Sequence, residues 1–258
     1  MKKLVILSCI LLLAAEVFAG KLVEREFTCP VCSEAFYAKL DVEPGQYDMR
    51  LDLKPIGDAP APWRLPDCPK CGFVIYAISL SKGEVAANKR TVASEEYKKS
   101  FTRSSYYRLG LLYAGLGRPA FLVGNTFLKA SWQEESAPAK LKEDLELSLK
   151  YFTAAAADPK SRVEERENSQ VLMGELLRRL GRFAEASAHL KALRGTKGFT
   201  NNFFGDIVEF QLKRCAKQDA RIYELEDVRA SKRPLLGRLK WQYKKFMRKY
   251  EKKPEVPS

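Results

Sequence analysis

Four of the six cysteines form two closely spaced pairs, and these pairs carry the clearest chemical pattern in the chain. They stand as Cys29-Pro30-Val31-Cys32 and Cys68-Pro69-Lys70-Cys71. A C-x-x-C turn directs two sulfurs at one point, and two such turns supply the four thiolates of a tetrahedral zinc site. A closed four-sulfur site leaves no position for a substrate water. The sequence therefore predicts a structural zinc ion bound by Cys29, Cys32, Cys68 and Cys71.

Two other interpretations of the same cysteines stay open at this point. In an oxidising compartment, exposed cysteine pairs tend to form disulfides. C-P-x-C is also the frame of a thioredoxin-like redox site, which needs one such motif at the start of a helix in a strand-helix-strand unit. Residues 20–90 do not show that pattern. Metal content and free thiols of the mature protein distinguish the three interpretations.

The residues around the pairs are suited to enclosing a small metal module. Gly72, directly after Cys71, fits the left-handed backbone that such a turn often needs. Aromatic and aliphatic residues flank both pairs and are expected to form an apolar shell: Phe27, Phe36, Phe73, Ile75 and Tyr76.

The first nineteen residues have the layout of a secretory signal peptide. Lys2 and Lys3 form a positive start, Leu4 to Ala15 is an apolar run, and Val17-Phe18-Ala19 precedes a cleavage point before Gly20. The alternative is an uncleaved anchor, but the apolar run is shorter than the roughly 20 residues that a spanning helix needs. We expect an exported protein, periplasmic or extracellular, that loses Cys9 with the peptide.

Two remaining residues with reactive side chains do not form a catalytic pair. Cys215 lies in a helical stretch and is expected to be a buried structural cysteine, with an intermolecular bridge as the alternative. His189 falls beside the apolar stripe of its helix, so a solvated surface position is expected. One histidine in the whole chain also excludes most zinc hydrolases and mechanisms that need two histidines.

Composition places the chain among soluble globular proteins. Its 258 residues are 46% hydrophobic and 30% charged, which excludes collagen-like, multi-span membrane and wholly disordered chains. The length allows one or two domains with a real core. The formal net charge is +13, and most of that excess lies near the C-terminus.

Shifts in composition divide the mature chain into three parts. Residues 20–90 are rich in turn formers and predict strands and loops, a zinc-ribbon-like module. Residues 91–230 show helical spacing from about Ser94, a predicted N-cap, to about Asp227. Residues 231–258 form a basic helix and a proline-containing tail. The expected fold class is α+β, mainly α: a small N-terminal β module followed by a tetratricopeptide-like array of helical hairpins.

The helical part carries a weak internal repeat. Leu180-Gly181-Arg182-Phe183 resembles the turn of a tetratricopeptide repeat, with Gly174 seven residues before Gly181. Gly110 and Gly117 stand in the same relation. Small residues at these positions let paired helices approach closely. Stacked hairpins commonly present a groove for a protein partner, whereas a compact bundle without partner is the alternative.

The C-terminal segment combines positive charge with an apolar stripe. Residues 228–258 hold eleven Lys or Arg against Glu251 and Glu255. Apolar residues recur at helical spacing: Leu236, Leu239, Tyr243, Phe246 and Tyr250. Residues 235–250 are therefore predicted to form a basic amphipathic helix that binds an anionic membrane surface or, alternatively, caps the helical array. Nucleic acid is not an expected partner, because the protein is expected to be exported.

The order of these motifs resembles a known bacterial family. Phe27-Thr28-Cys29-Pro30-Val31-Cys32, a proline-containing spacer, Cys68-Pro69-Lys70-Cys71-Gly72-Phe73 and tetratricopeptide-like helices are together similar to the bacterial domain of unknown function 2225, over residues 24–230. The resemblance implies metal ligation by the same four cysteines. This chain departs from the family in its predicted signal peptide and in having no cysteine between Cys32 and Cys68.

These observations together predict an exported, non-enzymatic adaptor or scaffold with a structural zinc ion and a helical surface that binds a protein. The alternatives are a thiol-disulfide oxidoreductase that uses one C-P-x-C pair, and a purely structural envelope protein. Insulin reduction separates the oxidoreductase from the other two.

Overall fold

The computed structural model describes residues 22–41, 46–57, 61–196 and 198–251. The predicted signal peptide and the tail after residue 251 lie outside the described residues. The four described strands are β1 (Leu22–Thr28), β2 (Ala35–Asp41), β3 (Gln46–Met49) and β4 (Pro55–Gly57). The described helices are α1 (Lys82–Ala93), α2 (Glu95–Lys99), α3 (Ser105–Gly115), α4 (Ala120–Gln133), α5 (Pro138–Ala157), α6 (Val163–Arg179), α7 (Phe183–Arg194), α8 (Phe203–Cys215), α9 (Leu225–Ser231) and α10 (Leu235–Glu251).

The N-terminal strands form two small antiparallel ladders. β1 pairs with β2 from Leu22 opposite Asp41 to Thr28 opposite Ala35, and β3 pairs with β4. The first cysteine pair lies in the connection between β1 and β2. Helices occupy most of the rest of the chain, so the α+β, mainly α fold class predicted from the sequence is confirmed.

The helices begin earlier than the sequence pattern predicted. Ser94 is an N-cap, as expected, and accepts a hydrogen bond from the backbone amide of Tyr97. However, α1 already spans Lys82–Ala93 and crosses the expected boundary at residue 90. A capping box of Ser81 and Glu84 starts this helix. The helix was missed because its buried side includes a polar residue, Asn88, which donates to the Tyr76 hydroxyl at 2.9 Å.

Two helical hairpins show the glycine arrangement that the repeat predicted. Gly117 and Gly181 adopt positive φ angles of 63° and 74° in the turns after α3 and α6. A methyl group on Gly110 would lie 2.6 Å from the ring of Phe127 in α4. One on Gly174 would lie 2.4 Å from Leu190 in α7. The two glycines therefore allow close packing of α3 on α4 and of α6 on α7.

The spacer between the cysteine pairs reaches the far end of the helical array. Leu51 is buried in the core formed by α4 to α9, and its amide donates to the carbonyl of Tyr223 at 2.9 Å. Arg50 forms a backbone bridge with Glu224. Asp52, 1% exposed, pairs with both Arg50 and Arg179. The strand segment is thus built into the helical part.

The C-terminal segment is helical through residue 251, past the expected end of the array at about Asp227. α9 and α10 follow one another, and α10 covers the predicted amphipathic stretch. None of the described helices combines the length and apolar character needed to cross a bilayer.

Candidate metal centre

The four paired cysteines meet at one point. The sulfurs of Cys29, Cys32, Cys68 and Cys71 all lie within 4.8 Å of one another, and no disulfide joins any of the described cysteines. Cys29 and Cys71 are 3.6 Å apart, and Cys32 and Cys68 are 3.5 Å apart, sulfur to sulfur. Sulfurs bound about 2.3 Å from a tetrahedral ion are separated by about 3.8 Å. The cluster therefore has the size of a four-thiolate site and could bind a metal ion.

Both cysteine turns have the same backbone hydrogen-bond pattern. In each, the first cysteine's amide donates to the carbonyl five residues on, and its carbonyl accepts from the amide four residues on. The bonds are Cys29 to Glu34 at 2.8 Å and Ser33 to Cys29 at 2.8 Å, then Cys68 to Phe73 at 2.9 Å and Gly72 to Cys68 at 2.8 Å. Two equivalent turns facing one another produce the four-sulfur arrangement.

Each turn closes on a left-handed residue. Gly72 has a φ of 71°, as the sequence predicted, and Ser33 has a φ of 62° at the equivalent position. Serine has a steric cost there that glycine does not. Sequence reasoning missed Ser33, although its place directly after the second cysteine of the pair matches that of Gly72.

The second turn is attached to the helices through one carbonyl. The Gly72 oxygen accepts hydrogen bonds from the Tyr97 hydroxyl at 2.9 Å and from Arg108 Nη1 at 2.8 Å. Tyr97 is fully buried, and Arg108 also pairs with Asp67. These donors bind the turn directly, so the cysteine cluster and the start of the helical array support each other.

The expected apolar shell surrounds the cluster. Phe36 and Phe73 are buried in a core with Cys29 and Cys68, and Phe27, Ile75 and Tyr76 pack against it. The ring of Phe27 stacks on Phe36 at 5.9 Å, and Tyr76 meets the edge of Tyr113 at 5.1 Å. The shell continues into α3 and buries Cys29 and Cys68, whereas Cys32 and Cys71 are partly exposed.

The thiols differ in how readily they lose a proton. Burial raises the pKa of Cys29 to about 11 and raises the pKa of Cys71 further. Burial also raises the pKa of Cys32, but hydrogen bonds from the Glu34 amide and from the neighbouring thiols stabilise its thiolate. Their effect is larger, so the pKa of Cys32 is lowered. A metal ion binds thiolates, so binding at neutral pH must displace protons from the buried thiols and weakens as the pH falls.

Substituting Gly72 with alanine should destabilise the turn by about 2–4 kcal/mol, because strain at positive φ adds to overpacking. An alanine methyl would lie 2.7 Å from the ring of Phe101. Gly117→Ala is the matched control: Gly117 also has a positive φ, but a methyl group there would have no neighbouring heavy atom within 4 Å. It should cost only about 1–2 kcal/mol. Urea unfolding measures both, and equal losses would contradict the role of the Phe101 contact.

The other two reactive residues lie away from the cluster. Cys215 is 3% exposed in the core of α4 to α9, which confirms the expected buried cysteine. His189 is half-buried, and its Nε2 lies 2.7 Å from the carbonyl oxygen of Gln170. The prediction of a solvated histidine was wrong, because α6 packs beside this face of α7 and supplies a hydrogen-bond partner.

Two of the concave surfaces formed by the described residues involve the helices, and neither was located by sequence reasoning. A cleft of about 880 Å³ lies between β4 and the α4–α5 connection. Its three arginines are already paired: Arg50 with Asp52 and Glu135, Arg64 with Asp41, and Arg103 with Glu134 and Asp144.

A second groove of about 540 Å³ crosses α1, α3 and α5. Aromatic rings line it: Phe127 stacks on Tyr151 with the ring centroids 5.7 Å apart, and Tyr107 meets Phe127 edge-on with the centroids 5.6 Å apart. Half-buried leucines, Leu111 and Leu147, complete its apolar lining. Charged residues of both signs line it as well: Arg90, Glu96, Glu143 and Lys150.

Comparisons of the chain with protein-family models, with curated proteins and with solved structures give no match. The resemblance to the bacterial domain of unknown function 2225 therefore stays a prediction.

Proposed function

We propose that this protein is an exported, non-enzymatic adaptor or scaffold, in which a structural zinc ion holds the N-terminal module and the helical array binds a protein partner. The observation that carries the proposal is the convergence of four thiols in a partly buried cluster that is attached to the helices. Zinc is the ion proposed, because four thiolates at tetrahedral separations are its usual structural ligand set. Export rests on the sequence pattern of residues 1–19.

The proposed structural role follows from the surroundings of the cluster. Four protein ligands fill a tetrahedral coordination sphere, so such an ion has no position for substrate. The Gly72 carbonyl, in the second cysteine turn, accepts hydrogen bonds from Tyr97 and Arg108, which lie on helices. These bonds connect the cluster to the helices. The ion would thus stabilise the junction on which the first helices of the array are built.

The proposed partner site is the groove across α1, α3 and α5. Its volume of about 540 Å³ is sufficient for a few side chains of an extended peptide. The stacked rings of Phe127 and Tyr151 favour an aromatic or large aliphatic side chain. We therefore propose that the groove binds an extended segment of a partner protein that carries such a side chain.

The oxidoreductase alternative receives less support from the geometry. A redox pair exchanges electrons between the two cysteines of one motif. Here the close contacts run between motifs, from Cys29 to Cys71 and from Cys32 to Cys68. An ion bound to all four thiolates would also protect them from exchange. The zinc-loaded protein should therefore fail to reduce insulin, and reduction at a rate comparable to thioredoxin would overturn the proposal.

Site-specific crosslinking in cells tests the groove. p-Benzoylphenylalanine in place of Lys150, an exposed lysine that lines the groove, should yield a discrete crosslinked protein. The same probe in place of Lys213, on α8 and away from the groove, should not. Adding Leu147→Asp, which places a charge in the apolar lining, should remove the Lys150 product. Identical products from both positions, or none from position 150, would contradict the partner site.

A further inference from the structure

One face of α10 attaches the helix to the body of the protein. Trp241 is 9% exposed, and its Nε1 donates to Asp227 Oδ1 at 2.8 Å. Lys245 pairs with Asp227 at 2.5 Å, and Arg248 pairs with Glu224 at 3.0 Å. The helix is therefore held in place by a tryptophan and two ion pairs with α9 and its N-cap.

The opposite face of α10 is apolar and exposed. Its large side chains are between 51% and 80% exposed: Leu235, Leu236, Leu239, Tyr243 and Phe246. At about 100° of rotation per residue, the centre of this stripe lies about 160° around the helix from the centre of the attached face. Burial against the protein therefore does not explain the stripe, and a contiguous exposed apolar surface marks an interaction site.

Positive charge borders the stripe on both sides. Lys240 and Lys244 follow one edge in the helical projection and Arg238 the other, and all three are exposed. From Leu235 to Arg248 the sequence contains no acidic residue. The surface that covers the stripe must therefore be apolar at its centre and negatively charged at its borders.

We propose that α10 binds the surface of an anionic lipid bilayer, lying in its plane. Leu236, Leu239 and Tyr243 enter the boundary of the acyl chains, and the flanking lysines and arginine contact lipid phosphates. This inference does not depend on the zinc ion or on the groove.

Two features favour a bilayer over another protein. The stripe lies on a single convex helix, which a fluid lipid surface accommodates without a preformed groove. A second copy of the same face would bring its own basic borders against these and be repelled. Because α10 is already folded and attached by its other face, binding requires no ordering of the helix.

Vesicle co-sedimentation of the full mature chain tests the proposal. The protein should bind mixed phosphatidylglycerol–phosphatidylcholine vesicles, bind pure phosphatidylcholine vesicles far more weakly, and lose binding as salt is added. Leu236→Asp should weaken binding by about tenfold or more, since it removes an inserted leucine and adds a repelled carboxylate. Lys240→Glu should weaken it severalfold and reduce the dependence on salt.

Ile78→Asp is the matched control, because Ile78 is a fully exposed aliphatic residue outside α10 and the change in charge is the same. It should leave vesicle binding unchanged, with circular dichroism confirming that all variants are folded. Three outcomes would overturn the proposal: no binding of the unmodified protein to anionic vesicles, an equal loss in Ile78→Asp, or self-association that Leu236→Asp abolishes while vesicle binding persists. A fourth outcome would also overturn it: p-benzoylphenylalanine in place of Leu239 crosslinks to a protein, and the chain does not bind vesicles.

Discussion

Replacing Cys68 with serine is expected to abolish metal binding and to unfold the N-terminal module. The Cys68 side chain is 2% exposed, and its sulfur lies 3.5 Å from that of Cys32. A serine hydroxyl is a poor substitute for a thiolate at a zinc site. The loss should amount to several kcal/mol, because apparent binding free energies of structural Zn²⁺ in small zinc domains are about 10–16 kcal/mol.

The consequences should extend into the first helices. Without the second cysteine turn, Tyr97 and Arg108 lose the Gly72 carbonyl to which both donate. Buried donors left without acceptors are costly, so α2 and the start of α3 should become less protected. Hydrogen exchange should show faster exchange in these helices, while α7 and α8 keep their protection.

Cys215→Ser provides the matched control for this prediction. Cys215 is buried and free, like Cys68, but lies in the other core. Metal analysis should give one ion per chain for the unmodified protein and for Cys215→Ser, and a small fraction of that for Cys68→Ser. An equal loss of metal in both variants would contradict the four-cysteine site. A metal-free native protein with two disulfides would support the disulfide interpretation instead.

Local signals made much of the four-cysteine cluster predictable from the sequence. The spacing of Cys29, Cys32, Cys68 and Cys71 has few structural solutions, and the left-handed Gly72 follows from the same turn geometry. The hairpin glycines were predictable for a similar reason, because close helix packing and tight turns both exclude larger side chains. Each of these features is marked by a short motif in the sequence, even where the residues that it brings together are far apart along the chain.

Features that depend on distant residues could not be predicted in this way. Leu51 joins the core of the C-terminal helices, and its amide binds the carbonyl of Tyr223. The carboxylate of Asp52 pairs with Arg179. No periodicity or spacing connects such positions, so the spacer was predicted as strands and loops without its place in the helical array. The start of α1 was missed for another reason: Ser81 and Glu84 form a capping box, but the polar composition of the helix obscured its buried face.

Glu175→Gln is expected to destabilise the protein by about 3–5 kcal/mol, because it leaves a buried guanidinium without its countercharge. Glu175 and Arg178 are 1% and 0% exposed in α6, and Arg178 binds both carboxylate oxygens, at 2.6 Å and 3.0 Å. Arg178 also donates to the carbonyl oxygens of Asp219 and Arg221. It therefore joins α6 to the segment that carries Tyr223, the partner of Leu51.

The matched control is Glu185→Gln, at the exposed ion pair of Glu185 with Arg182, which has the same three-residue separation. Water solvates both of those charges, so the urea midpoint of Glu185→Gln should stay close to that of the unmodified protein. For Glu175→Gln, the midpoint should fall and exchange should accelerate in residues 219–223, while the metal content stays unchanged because the cysteine cluster belongs to the other core. Equal midpoints for the two variants would show that the buried pair contributes no more than a surface pair. Loss of metal together with the fall in stability would instead show that the two cores unfold as one unit.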